Sequence, residues 1–362
     1  MTSAERVAVV GTGLIGTSIA MAATRAGHVV KGYDTELEVL ERAAERSELI
    51  AEPTLEGCVA GATLAFVCTP IPATAEVVER VLRFGSDSIV SDVASVKSHV
   101  KREVERSVEV ADLRRYVAGH PMGGSERSGP EHAAASVLDG VVWVLDAEAA
   151  PAAAERLESF IAKIGCQPVR MDLARHDRLV AMVSHLPQVA STALMALAAG
   201  EEAGEPEILL LAAGGFRDLT RLAASNPHLW SDILLANRTE LARAIDLYIE
   251  RLSGLRDMVE AGAAQEVELA FAEAKRARLS LAAKPQVKAG VAVLQVPVPD
   301  RPGVLAEVTA AMSDAGVNIE DLQIVHSPEG GRGTVHLTVA ADAAEDATGA
   351  LRERWFEPLR LA

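Results

Sequence analysis

The residue types best suited to chemistry fall in a few short runs of this 362-residue chain. VAVVGTGLIGTSIA places Gly11, Gly13 and Gly16 in the spacing G-x-G-x-x-G, and Asp34 closes the next apolar run. SDVASVK holds Asp92, Ser95 and Lys97, and AGHPMGG holds His120. SHLPQ holds His185 and Gln188, and GGFRDLTRLAASNPHLW holds Arg217, Asp218, Arg221 and Trp230.

The glycine run has the parts a dinucleotide needs. Gly11 permits a tight turn, Gly13 lets a pyrophosphate approach the backbone, and Gly16 lets a helix pack on the strand. Free N–H groups and the positive dipole end of that helix then face the phosphates. Asp34 can accept from a ribose 2′-hydroxyl and would repel a 2′-phosphate, which favours NAD over NADP. Leu14 and Ile15 inside the fingerprint, and Thr69 after the strand TLAFVC, complete the expected cofactor set.

His120 sits after the strand RRYVAG, in a loop that is rigid at Pro121 and glycine-rich beyond it. An imidazole with an unperturbed pKa near 6.5 is mostly neutral at pH 7, as a general base must be. Ser95 has two readings, a site hydroxyl or the N-cap of the helix that follows. An arginine here suits a carboxylate, because its planar fork binds both oxygens. Each arginine can equally serve a structural salt bridge.

Elements must position these groups. Runs at 6–10, 28–33, 63–68, 88–91, 115–119, 140–145 and 167–171 read as strands, with helical patterns between several of them. Val77, Val78, Val81 and Leu82 share one helical face. Continuous apolar strands imply burial on both faces, so the expected fold class is α/β, a doubly wound parallel Rossmann sheet. Ligands in such folds bind beyond the carboxyl ends of the strands, where Ser95 and His120 fall. From about 172 the pattern is all helical. Leu241, Ile245, Tyr248, Leu252, Leu255 and Val259 step by four and three along one stripe, a core face or a subunit interface. LAAKPQVKAG reads as a linker. The tail has the order βαββαβ of a small ferredoxin-like domain, with Gly316 stopping its first helix and EGGRG turning between two strands. The expected domains are 1–171, 172–284 and 289–362.

Composition narrows the class. The formal charge is −16, and no basic cluster stands out for nucleic acid. Three scattered cysteines without a C-x-x-C point to reduced thiols in a cytoplasmic protein. The start lacks a signal-peptide core, and the Ala-rich stretches carry too many charges for a membrane span.

Taken in register, VGTGLIGTSIA, SDVASVK, GHPMGG, SHLP and GGFRDLTRLA…NPHLW resemble the prephenate dehydrogenase family, arogenate dehydrogenases included, over roughly residues 5–280. PDRPGVLAEV and GVNIEDL resemble an ACT domain. The resemblance implies NAD-dependent oxidative decarboxylation of prephenate to 4-hydroxyphenylpyruvate, with no metal. It implies that His120 takes the proton of the C4 hydroxyl and that Ser95 contacts that hydroxyl, the histidine and the nicotinamide region. Arg221 matches the arginine that grips a substrate carboxylate. Trp230 matches a tryptophan near the site, Glu126 an acid that modulates access or pairs with arginine, and His185 the first histidine of SHLPH. Many relatives carry a second histidine where this chain has Gln188, which can hydrogen-bond but cannot become cationic. Asp218 is a candidate acid for the amine of arogenate, or a partner for Arg217 or Arg221. Gly303, Asn318 and Ile319 match the parts of an ACT domain that meet at an effector site, with tyrosine the expected effector. A homodimer is expected. The competing readings are a β-hydroxyacid-type dehydrogenase, disfavoured by the lack of a central lysine in the helical run, and a non-catalytic NAD- and amino-acid-responsive regulator.

Overall fold

The computed structural model describes residues 4–123, 128–201, 205, 207–282, 291–299, 301–326 and 332–361. The chain divides into two compact units, Met1–Ala198 with Thr220–Leu247, and Ala199–Leu219 with Tyr248–Ala362.

The first unit is built on a parallel sheet. Strands β1 (Arg6–Val10), β2 (Val29–Tyr33), β3 (Ile50–Ala51), β4 (Leu64–Val67) and β5 (Ile89–Asp92) lie in the order β3-β2-β1-β4-β5. The order reverses at β1, so the β1/β4 crevice is the topological switch point, with the glycine fingerprint at its carboxyl edge. β1 from Val7 on and all of β4 are apolar because helices cover both faces of the sheet, and two buried clusters form, one on each side.

The second half of this α/β region departs from a purely parallel sheet. β6 is Gly119–Pro121, later than the expected 115–119, and it pairs antiparallel with β7 (Val142–Asp146). β8 (Gln167–Met171) returns parallel to β7. The residues just before β6 make one parallel bridge, Val90 to Tyr116, so a single stretch of chain touches β5 first and β7 next. His120 is thereby placed inside a short strand that pairs with β7 just after the chain leaves β5.

Helices follow. Leu173–Val180 runs through a π turn, Ala181–His185, into Leu186–Glu201. Pro227–Ala236 and Arg238–Glu260 come later, and the second unit contributes Ala264–Ala282. The expectation about membranes needs correction for one helix. Leu173–Gly200 is long and apolar enough to cross a bilayer, with a mean hydropathy of 1.4. Its polar side chains are nonetheless used inside the protein: Gln188 donates to the Leu222 carbonyl, and the Ser191 hydroxyl accepts from the Ala223 N–H.

In the second unit β9 (Val291–Pro299), β10 (Asp321–His326), β11 (Arg332–Ala340) and β12 (Leu359–Leu361) form an antiparallel sheet ordered β10-β11-β9-β12. Helices Val304–Asp314 and Ala344–Glu353 cover it, in the expected βαββαβ order. Gly316 stops the first of them at φ +66. Most of the linker and of the EGGRG turn lies outside the described residues.

Candidate active site

The fingerprint turn has the shape a dinucleotide needs. Gly11 has φ +92, and a Cβ there would lie 2.6 Å from the Cys68 carbonyl oxygen of the next strand. A Cβ on Gly16 would collide with the Gly11 carbonyl, so the helix Leu14–Arg25 sits directly on the turn. Above Gly13 there is nothing within 4 Å, and no side chain caps that helix. Its first N–H groups, those of Leu14 and Ile15 among them, thus face open space beside the one glycine that leaves room for a pyrophosphate. Asp34 lies at the end of β2. Its carboxylate accepts from the Thr12 N–H at 2.7 Å and from the Glu36 N–H at 3.1 Å, which aims it at the rim of the turn. Thr69 follows β4, its hydroxyl 3.4 Å from that of Thr74.

The SDVASVK loop divides its residues between structure and site. Lys97 and Asp92 are buried and form an ion pair, Lys97 also donates to the Gly119 carbonyl at 2.6 Å, and the Tyr116 hydroxyl donates to Asp92 at 2.7 Å. Burial pushes the Lys97 ammonium down in pKa while Asp92 opposes the shift, and burial pushes the Tyr116 phenol well up. Both are therefore tied to β5 and β6 as a clamp. Ser95 is half-buried and does not cap the following helix. That helix, Ser98–Ser107, is capped from a distance: the Asp177 carboxylate accepts from the N–H groups of Lys97 at 2.9 Å and Ser98 at 2.8 Å. The cap reading of Ser95 is thus replaced, and its hydroxyl makes no hydrogen bond among the described residues.

His120 is half-buried, and its Nδ1 lies 2.9 Å from Nε2 of His176. His176 Nδ1 lies 2.9 Å from Asp177 Oδ1. Burial pushes the His120 imidazolium well below the ordinary histidine range, and nearby His176 and Lys97 add to this, so the ring is neutral at pH 7. The line continues across the helical region. Asn237 donates to the Asp177 backbone carbonyl at 2.8 Å and lies 3.2 Å from His185 Nδ1. His185 meets the Trp230 ring edge-on at 6.1 Å between centroids. Burial pushes His185 down to about 4, so it too is neutral.

The π turn explains how His185 comes near the others. Positions 176 and 185 would lie about 180° apart on an undistorted helix, and the extra residue absorbed by the π turn brings that offset to about 80°. Gln188, one turn on, is buried, and its amide is committed to the Leu222 carbonyl at 2.8 Å and to the Ser225 hydroxyl at 3.5 Å. This ties the helix to the turn Arg221–Ala224, where Arg221 stands at the exposed start. Gln188, Thr192, Ala196, Trp230 and Leu234 line a cavity of about 500 Å³.

Three models of known families match in order. Residues 19–169 match the nucleotide-binding domain of prephenate dehydrogenase, 172–273 its dimerization domain, and 292–355 an ACT domain. A prephenate dehydrogenase of Bacillus subtilis is 30% identical over 349 residues, 93% of each chain. The chain belongs to the prephenate dehydrogenase family. Among solved structures, the prephenate dehydrogenase of A. aeolicus in complex with hydroxyphenyl propionate and NAD+ is 25% identical. Its TM-score is 0.72, covering 77% of this chain and 99% of that one. The Synechocystis arogenate dehydrogenase is 29% identical with a TM-score of 0.65, covering 75% and 98%.

Within the family frame, the first unit brings His120, His185 and Trp230 onto one hydrogen-bonded and stacked line, with Arg221 next to the residue that anchors Gln188. Glu126 lies outside the described residues. Asp218 is exposed and belongs to the second unit. In the ACT domain Gly303 holds φ +88 before its helix, Asn318 donates to Glu320 at 2.5 Å, and Ile319 packs on the domain core. Sequence reasoning missed His176, Asp177 and Asn237. Arg175 and Arg178 flank the His176-Asp177 pair, so in the sequence the run reads as a solvated, charged helix turn, and only the packing shows the pair to be buried.

Proposed function

We propose that the protein is an NAD-dependent prephenate dehydrogenase that uses His120 as its proton acceptor. The observation that carries this is a neutral, half-buried imidazole within β6, in the same unit as a turn shaped for a dinucleotide and linked through His176, Asp177 and Asn237 to the histidine and tryptophan of the helical region.

Bound NAD+ supplies a hydride acceptor. The chain's residues do the rest. His120 accepts the proton of the C4 hydroxyl as hydride leaves C4, and Ser95 holds that hydroxyl from the other side. Arg221 grips a substrate carboxylate with two charge-assisted hydrogen bonds. The C1 carboxylate then departs as CO2, the ring becomes aromatic, and 4-hydroxyphenylpyruvate results. Aromatisation supplies the drive, so positioning and proton removal are the protein's tasks. Buried His185 and half-buried Trp230 form one wall of the site, and Gln188 braces the Arg221 turn from within. Gly11, Gly13, Leu14, Ile15, Gly16, Asp34 and Thr69 hold the cofactor.

The division 1–171, 172–284 and 289–362 is supported by the three consecutive family matches. A homodimer is supported by the match to a dimerization domain and by the exposed stripe of the helix Arg238–Glu260, where Tyr248, Leu252 and Val259 are 40%, 48% and 68% exposed. An amino acid, tyrosine first, would bind the ACT domain near Gly303, Asn318 and Ile319. Three free cysteines fit a cytoplasmic enzyme.

The test is NADH formation from prephenate and from arogenate, with and without tyrosine. Prephenate is expected to be the better substrate, and tyrosine to inhibit. His120→Asn should lower kcat by roughly 10²–10⁴-fold with KM nearly kept. Arg221→Ala should raise KM strongly, since a substrate carboxylate would lose its charge-assisted hydrogen bonds. Turnover of neither substrate by a folded, NAD-binding protein would end the enzyme reading, and a preference for arogenate would turn it toward direct tyrosine formation.

A further inference from the structure

With His176 a neutral imidazole, the hydrogen bonds behind His120 leave one consistent set of protons. Asp177 accepts at both oxygens: Oδ1 takes the Lys97 N–H and Oδ2 the Ser98 N–H. Burial works against its charge, but these bonds and the one from His176 hold its carboxyl below the usual range. Both N–H groups open the helix Ser98–Ser107, whose dipole also favours an anion there. A carboxylate only accepts, so His176 Nδ1 must carry a hydrogen and donate to Asp177 Oδ1. In a neutral imidazole the other nitrogen is then an acceptor. His176 Nε2 therefore accepts, and His120 Nδ1 must be the donor across 2.9 Å. That leaves His120 Nε2 without a hydrogen. Among the described residues nothing bonds to it.

We infer that His176 and Asp177 are positioning residues for the dehydrogenation: they lock His120 in the Nδ1–H tautomer and so present the Nε2 lone pair to the substrate hydroxyl. The inference rests on His120 being the base. When the C4 hydroxyl proton moves to Nε2, His120 becomes an imidazolium. Its Nδ1–H stays directed at His176, and the Asp177 carboxylate beyond compensates part of the new charge. The T-shaped contact of the two rings, 81° between planes, lets the His120 N–H point along the His176 lone pair in the plane of that ring. Asn237 holds the Asp177 backbone, so the same carboxylate orients the relay and caps the helix that follows the Ser95 loop.

Two measurements test this. The first needs no variant. In protein labelled with ¹⁵N-histidine, long-range ¹H–¹⁵N spectra at pH 7.5 should show the His120 ring with Nδ1 protonated and Nε2 bare, the resonance being assigned by its loss in His120→Asn. A His120 ring found as Nε2–H overturns the inference while leaving His120 open as a binding group. The second is kinetic. His176→Phe, which keeps the ring volume but no acceptor, should lower kcat for prephenate by about 10²-fold with KM and NAD+ affinity within a few-fold. His176→Gln, whose side-chain oxygen can accept from Nδ1–H, should recover part of that loss. Wild-type kcat in His176→Phe would overturn it. If His120→Asn itself keeps wild-type kcat, the base assignment falls, and the relay with it. A dead His120→Asn beside an unaffected His176→Phe removes the relay alone.

Discussion

Each ionisable side chain of the cleft takes its protonation state from its surroundings. His185 is the clearest case, held at about 4 against an ordinary 6.5 by burial. Between those values the unfolded chain binds a proton that the folded one refuses. Stability then rises with pH through the window and is lost as pH falls from about 6.5 toward 4, by up to about 3 kcal/mol. The melting temperature of the wild type should drop across that range, and that of His185→Gln should drop less; equal slopes would show that His185 is not the group titrating. The same logic places the acid limb of kcat/KM well below 6.5, because His120 is depressed in the same direction. Asp34 belongs to this scale too. Asp34→Asn keeps an acceptor but loses the charge that disfavours a 2′-phosphate. The NAD/NADP preference should narrow about tenfold or more. An unaltered ratio would mean that the carboxylate does not reach the ribose.

At the scale of the element, the fingerprint turn separates packing from binding. Gly11 is needed by the fold, since its φ is positive and the Cys68 carbonyl stands where a Cβ would go. Gly13 is not, since its would-be Cβ meets open space. Gly11→Ala should therefore lower thermal stability by about 1–3 kcal/mol. Gly13→Ala should cost less than about 1 kcal/mol yet weaken NAD+ binding sharply, as titration calorimetry would show. Normal NAD+ affinity in Gly13→Ala would move the pyrophosphate away from this turn. The buried Lys97–Asp92 pair is a second element-scale device. It joins β5 to the carbonyl of Gly119 next to His120, so His120 stands on a clamp rather than on a free loop. Breaking such a pair costs about 3–5 kcal/mol, because one charge stays buried without its partner.

For the whole molecule the open question is what covers the apolar stripe of Arg238–Glu260. Leu241 is buried, while Tyr248, Leu252 and Val259 on the same stripe are not. A face that begins in the core and ends in solvent fits a subunit contact. The wild type should sediment as a dimer, and the double change Tyr248→Glu with Leu252→Glu should shift it to monomer at micromolar concentration. A dimer that survives both charges would place the interface elsewhere.

The sequence by itself determined the elements whose chemistry is local. Gly11, Gly13 and Gly16 with Asp34 fix a turn by backbone sterics. Alternation of apolar runs and helical stripes gives the Rossmann order, and βαββαβ gives the tail. The motifs carrying His120, His185 and Arg221 were legible because their residue types and order are specific. Only the tertiary structure decided which groups meet. Asp177 caps a helix that starts some eighty residues earlier, His176 reaches His120 across two elements, and Gln188 serves the Arg221 turn. The reversal of β6 against β7 and the π turn before His185 belong to the same class. Such pairings depend on the register of packed elements, and one residue of shift at Ala181–His185 would turn His185 away. Periodicity reports which face of a helix is buried, and only packing reports what that face touches.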